Sequence, residues 1–186
     1  MKWVFGIGVL FIWSSFAVPK QSVQADFMSS EENKIVKLLN EVRANPVGFE
    51  KFIIAPMLKK DPRNSYLKSL STTLKTMTPV GKLDADKTQY VSADCHAQEI
   101  GSKGLRTHER QSIKCTNVKA FKGECIAFGD KDAETVILML LIDEGVPDLG
   151  HRKICLDGKY SQIGVSTHSH TTWRNVTVLD FGYDSD

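Results

Sequence analysis

The sequence of 186 residues holds no long block of like charge. Its 24 Lys and Arg stand against 22 Asp and Glu, and the basic residues are not gathered together. A net charge of +2 so dispersed predicts no nucleic-acid partner by bulk electrostatics. No apolar run reaches the ~20 residues that a spanning helix needs, which excludes a transmembrane anchor as the default. There is no internal repeat, no low-complexity tract and no G-x-S-x-G nucleophile elbow. The four cysteines include no C-x2-4-C pair, which weakens a structural zinc reading. What remains has ordinary aromatic and aliphatic content and is long enough for one domain with a real core.

The N-terminus stands apart. Lys2 precedes an apolar run from Trp3 to about Phe16, closed by Ser15, Phe16 and Ala17. That order predicts a secretory signal over residues 1–17, cleaved after Ala17 or, as a second choice, after Ala25. No Cys lies near the end of the run, which argues against lipid attachment. Residues 18–28 read as a flexible leader and residues 29–186 as a single domain. The expected location is extracellular, or periplasmic for a Gram-negative source. Export makes Cys95, Cys115, Cys125 and Cys155 an even set in an oxidising compartment, so two disulfides are expected, with three pairings open. Asn175-Val176-Thr177 is a glycosylation sequon, relevant in a eukaryotic source.

Along the chain, Ser29 or Ser30 caps a helix whose apolar stripe is Ile35, Val36, Leu38, Leu39 and Val42. Pro46 forces its end. "GFEKFIIAPML" predicts a short helix broken at Pro56, and "SYLKSLSTTLKTM" a weaker one. Asp84 or Asp86 caps a further helix that closes at Gly101 and Gly104. "GECIAFG" is a short apolar piece between glycines. Asp132 caps "AETVILMLLIDEG", apolar nearly all round and so buried on most sides, stopped by Gly145 and Pro147. "QIGVSTHSH" and "WRNVTVLDFGY" read as two strands joined by a polar turn. The order predicts an α+β fold with helices packed on an antiparallel sheet.

Several polar residues sit beside these buried pieces: His108, Glu124, Asp143, Glu144 and His151. An ionised acid there is costly unless paired, and histidine is a ready partner. Such pairs in a cleft suit a divalent-metal site or a proton-transfer site.

The motifs "LLNEVRANP", "ADCH" ending at His96, "GLRTH" ending at His108, "GECIAFG", "LLIDEGVPDLGHR" and "IGVSTHSH…VTVLDFGYD" follow one another in this order. Together they resemble the CAP superfamily of cysteine-rich secretory proteins, antigen 5 and pathogenesis-related proteins, in its compact bacterial and protist branch. The similarity spans about residues 33–184. It implies an α-β-α sandwich around a three- to four-stranded antiparallel sheet, with a cleft of two histidines and two acids. The family's histidines fall on His108 and His151, its Gly-Glu-Asn acid on Glu124, and its second acid on Asp143 or Glu144. Two positions depart from the pattern: Cys125 stands for the Asn, and Leu149 for an Arg before Gly150. Family geometry implies the pairings Cys125–Cys155 and Cys95–Cys115.

The resulting expectation is a secreted binding module whose cleft holds zinc or another divalent cation through His108 and His151, with an unknown small-molecule, lipid or protein ligand. One alternative is a metal-dependent peptidase or esterase using His108, Glu124 and His151. Another is a purely structural polar network with function on surface loops. His96 is expected to pack and hydrogen-bond, and His168 and His170, which share a strand face and could bind a metal, to form instead a solvated hairpin edge. Ser102, Ser112 and Cys125 are weaker nucleophile candidates.

Overall fold

The computed structural model describes residues 25–183, so the expected signal and the first part of the leader lie outside the described residues. Residues 25–28 were expected as the end of a flexible leader. They are instead held: the Ala25 N–H donates to Asn33 Oδ1 at 2.9 Å, and Met28 is buried in the core.

Helix α1 (Ser30–Ala44) starts at a capping box, in which Ser29 and Glu32 each bond the other's backbone N–H. It ends at Asn45, whose side chain caps α2 (Pro46–Phe49). A π-helical turn over Glu50–Ile54 continues into α3 (Ala55–Lys60). Pro56 therefore does not break this helix. It lies where the wider π turn passes into α3. Asn64 caps α4 (Ser65–Thr76). After β1 (Asp84–Ala85), Asp86 caps α5 (Lys87–Lys103), and Gly104 closes it at φ 67°.

The short α6 (Ile113–Asn117) precedes β2 (Gly123–Phe128). Helix α7 (Ala133–Ile142) leads through a turn to α8 (Gly150–Leu156), and the chain closes with β3 (Gln162–His170) and β4 (Arg174–Gly182). The sheet order is β1-β3-β4-β2. β3, β4 and β2 run antiparallel, but β1 pairs with β3 in parallel through Asp84–Gln162 and Ala85–Ile163. The sheet is thus mixed and not purely antiparallel as expected.

The architecture is an α-β-α sandwich. On one face Ala93, Ala97 and Ile100 of α5 pack on Ile126, Val176 and Val178. On the other, apolar residues of α1, α4, α7 and α8 meet Cys125, Ala127, Val165 and Leu179. α5 comes so close to β3 that a Cβ on Gly164 would strike the Tyr90 backbone. β4 is buried on both faces from Val176 to Phe181, so its polar residues Thr177 and Asp180 lie inside. Fully buried Arg43 makes no close ion pair among the described residues, though the Asp157 charge acts on it. It donates to the carbonyls of Gly81, Cys155, Asp157 and Tyr160, tying down the end of α8.

Cys95 and Cys115 form a disulfide between α5 and α6. The other expected bond is not made. Cys125 and Cys155 are free, buried thiols with their sulfurs 3.9 Å apart, well beyond the ~2.05 Å of a disulfide. Asn175 of the sequon donates from Nδ2 to the Gly129 carbonyl at 3.0 Å, so a glycan on that nitrogen would displace a bond that ties the end of β2 to β4.

Candidate functional site

Two histidine–acid pairs form on either side of the edge strand β2. Glu124 projects from β2 onto the α5 face. Its Oε1 accepts from His108 Nδ1 at 2.7 Å, and the His108 side chain is 60 % exposed. Cys125, the next residue, projects to the opposite face, and its thiol donates to the His151 carbonyl at 3.7 Å. His151, in the first turn of α8, donates from Nδ1 to Asp143 Oδ1 at 2.7 Å.

The choice between Asp143 and Glu144 falls on Asp143. It ends α7 in the left-handed conformation at φ 58°, which Asp tolerates better than most residues, and its side chain turns inward. It is buried, whereas Glu144 is exposed. Asp143 Oδ2 also accepts the Arg152 N–H at 3.1 Å. That carboxylate caps α8, whose own N-cap residue Leu149 has no side chain able to do so.

Three residues that sequence reasoning missed hold these pairs. Arg152 is buried in α8. Its guanidinium donates to the carbonyls of Leu141, Ile142 and Tyr66 and to Ser69 Oγ. It thereby satisfies the last carbonyls of α7, which have no partner within that helix. Arg110 reaches behind Glu124, with Nη1 2.5 Å from Glu124 Oε2 and Nη2 3.2 Å from Asp180 Oδ2. Its guanidinium lies 4.4 Å from the centre of the Phe121 ring. Asp180 lies opposite Glu124 in the β2–β4 register and accepts from Ser92 Oγ at 2.6 Å. Arg152 and Arg110 each follow a candidate histidine by one or two residues, and that was the only local signal.

One guanidinium thus serves two buried carboxylates. Burial, aided by the charge of Glu124, pushes Asp180 up to about 8, so it carries a proton at neutral pH. Burial also opposes ionisation of Glu124, but the His108 hydrogen bond and the Arg110 charge outweigh it and hold that carboxyl below its usual range. A proton on Asp180 donated to Glu124 gives the Asp180 Oδ1 a role, since that buried atom otherwise has no hydrogen-bond partner.

His96 behaves as expected: it is fully buried, and its Nε2–H donates to the Thr107 carbonyl at 3.0 Å, fixing the loop that carries His108. Burial pushes its pKa down. His168 pairs with Asp94 at 2.8 Å, while His170 is not solvated as expected but buried, with both ring nitrogens bonded to backbone. Ser112 caps α6, and Ser102 donates to the Glu99 carbonyl at 3.1 Å. The Cys125 thiol is pushed up by burial, which makes it a poor nucleophile.

A cavity of about 210 Å³ opens beside the second pair. Asp143, Glu144 and His151 line it together with Ile126, Phe128, Met139, Trp173 and Arg106. His108 and Glu124 do not line it. Among the described residues, no three His, Cys, Asp or Glu side chains group as a metal-holding set.

Fold and site together define an α-β-α sandwich that sets two acid-held histidines about one edge strand. The profile of the CAP, or Cysteine-rich secretory protein, family matches residues 36–181, and the chain belongs to that family. Among solved structures it is similar to venom allergen-like protein 4 of Schistosoma mansoni, at 14% identity and TM-score 0.52 over 85% of this chain and 92% of that one. It is also similar to an outer surface protein of Borrelia burgdorferi, at 19% identity and TM-score 0.47 over 69% and 96%. A third is an extracellular SCP-domain protein of Bacillus anthracis, at 16% identity and TM-score 0.46 over 64% and 39%. No curated protein matches the chain in sequence.

Proposed function

We propose that the protein is an exported binding module whose histidine–acid cleft takes a divalent cation together with a small, partly apolar ligand. One observation carries this reading. Each cleft histidine gives its Nδ1–H to a buried carboxylate, which leaves Nε2 free. Metal-binding histidines are oriented in this way, the carboxylate fixing the tautomer and raising the basicity of the ligating nitrogen. A cation taken by His108 and His151 would be completed by water or ligand in its other positions. The cavity beside His151 adds apolar lining for the ligand from Ile126, Phe128, Met139 and Trp173, with the charges of Arg106 and Glu144 also lining it. Export rests on the N-terminal signal pattern and on the Cys95–Cys115 disulfide.

The test is a calorimetric titration of zinc into the oxidised protein and into a His108→Ala, His151→Ala double variant. Micromolar binding, lost in a variant with an unchanged circular dichroism spectrum, is the expected result. A wild-type protein that takes up no zinc, manganese or calcium would sink the cation reading.

A further inference from the structure

The segment from Pro46 to Lys60 carries a surface that the cleft does not use. Its buried row is Pro46, Glu50 and Ile54, spaced by four residues. The π-helical turn widens the helix there, so that Phe52 and Ile53 both face outward beside the buried Ile54. Phe52 is 70 % exposed, Val47 52 % and Ile53 40 %. Three large apolar side chains within seven residues are not a scattered surface hydrophobe or two.

Their setting is basic. Lys51, Lys59, Lys60 and Arg63 are all exposed, and none makes an ion pair among the described residues. Asp61 is the one exposed acid between them, because Glu50 is buried against Ser71 and Lys75. The Lys51 ammonium lies 5.3 Å from the centre of the Phe52 ring, so its stem runs along the apolar group and its charge can rise to a headgroup as the ring enters.

We infer that this face docks the protein on an anionic bilayer surface. Phe52, Ile53 and Val47 enter the boundary between headgroups and acyl chains, and the four cations lie against the lipid phosphates and carboxylates. Phe52 stands out from the helix into solvent, which suits a flat fluid surface better than a single lipid molecule. The helix lies on the membrane and does not cross it. No described helix is long and apolar enough to cross.

The experiment is co-sedimentation of the protein, purified from a secreting host, with phosphatidylcholine vesicles that contain one third phosphatidylserine. Binding that weakens with added salt is expected, and it should fall about tenfold or more with Phe52→Ser plus Ile53→Ser. A comparable loss is expected with Lys51→Gln, Lys59→Gln and Lys60→Gln together. All five positions are exposed, so the variants keep the fold, which circular dichroism checks. Failure to bind the anionic vesicles, equal binding to pure phosphatidylcholine, or unimpaired variants would each overturn the inference. So would competition by soluble glycerophosphoserine, which would indicate a headgroup site. A dimer in sedimentation velocity that Phe52→Ser abolishes would overturn it in favour of self-association.

Discussion

Asp143 caps the helix that carries its own partner. One carboxylate oxygen takes the Arg152 N–H of α8, and the other takes Nδ1 of His151 one residue earlier. Arg152 returns the support, since its guanidinium grips the carbonyls of Leu141 and Ile142 that end just before Asp143. The end of α7 and the start of α8 are therefore one unit. The histidine it presents is set by backbone and buried charge, not by its own rotamer alone.

Asp143→Ala should therefore cost far more than Glu144→Ala. Removing the buried carboxylate strands an N–H and an imidazole, worth about 2–4 kcal/mol. The exposed Glu144 makes no ion pair among the described residues, and its removal should stay within about 0.5 kcal/mol. Urea denaturation of both variants checks the difference. Equal effects would return the choice of cleft acid to Glu144.

Arg152→Lys should fail to restore what Arg152→Ala loses. The guanidinium serves four acceptors at once, from 2.6 to 3.2 Å, through a planar fork. An ammonium reaches fewer of them and leaves carbonyls of α7 buried without donors. The expected loss is about 2–4 kcal/mol for the lysine variant by the same denaturation assay.

Much of this arrangement was legible in the sequence, and its limits are physical. Ser29, Asp86 and Asp132 cap helices because a short acceptor side chain three residues before an N–H is a local signal. The β-branched run in β3 and β4 is equally local. Helix α8 was missed because its cap comes from Asp143, across a turn, while Leu149 at the cap position sits at φ 55°. β1 was missed because two residues carry no period, and with it went the parallel pairing. The histidines and acids of the cleft came from ordered motifs. Arg110, Arg152 and Asp180 did not, because only tertiary contact shows that an arginine is buried or that two carboxylates share it.

Cys125 and Cys155 should remain unreactive in the native protein. Dithionitrobenzoate is expected to find no accessible thiol before denaturation and two afterwards, since both sulfurs are buried. Reducing Cys95–Cys115, which closes a loop of 20 residues, should cost about 3 kcal/mol in the chain-entropy picture. Mass spectrometry of alkylated protein distinguishes the two pairs. Absence of both thiols after denaturation would mean that the 3.9 Å contact closes to a bond in solution.

The carboxyl pair behind His108 predicts a pH dependence with a definite sign. Asp180 is held at about 8 in the fold against its ordinary 3.8, so between those limits the folded protein keeps a proton that the unfolded chain gives up. A state that binds more protons loses ground as they become scarce, and stability should fall as pH rises from about 5 to 8. Glu124 acts in the other direction and in a lower window. Its folded pKa lies below 4.5, so its contribution is present above that value and is lost only as pH falls further. The groups facing Asp180 are Ser92 from α5, Arg110 from the loop and Glu124 from β2. Asp180→Asn removes the titration while keeping an acceptor for Ser92 and supplying a permanent donor toward Glu124. The variant should match or exceed the wild type at pH 8 and show a flatter profile of urea midpoints between pH 5 and 8. A wild-type profile that rises through this interval, or an Asn variant with the same slope, would show that Asp180 is ionised in the fold and that Arg110 neutralises both carboxylates alone.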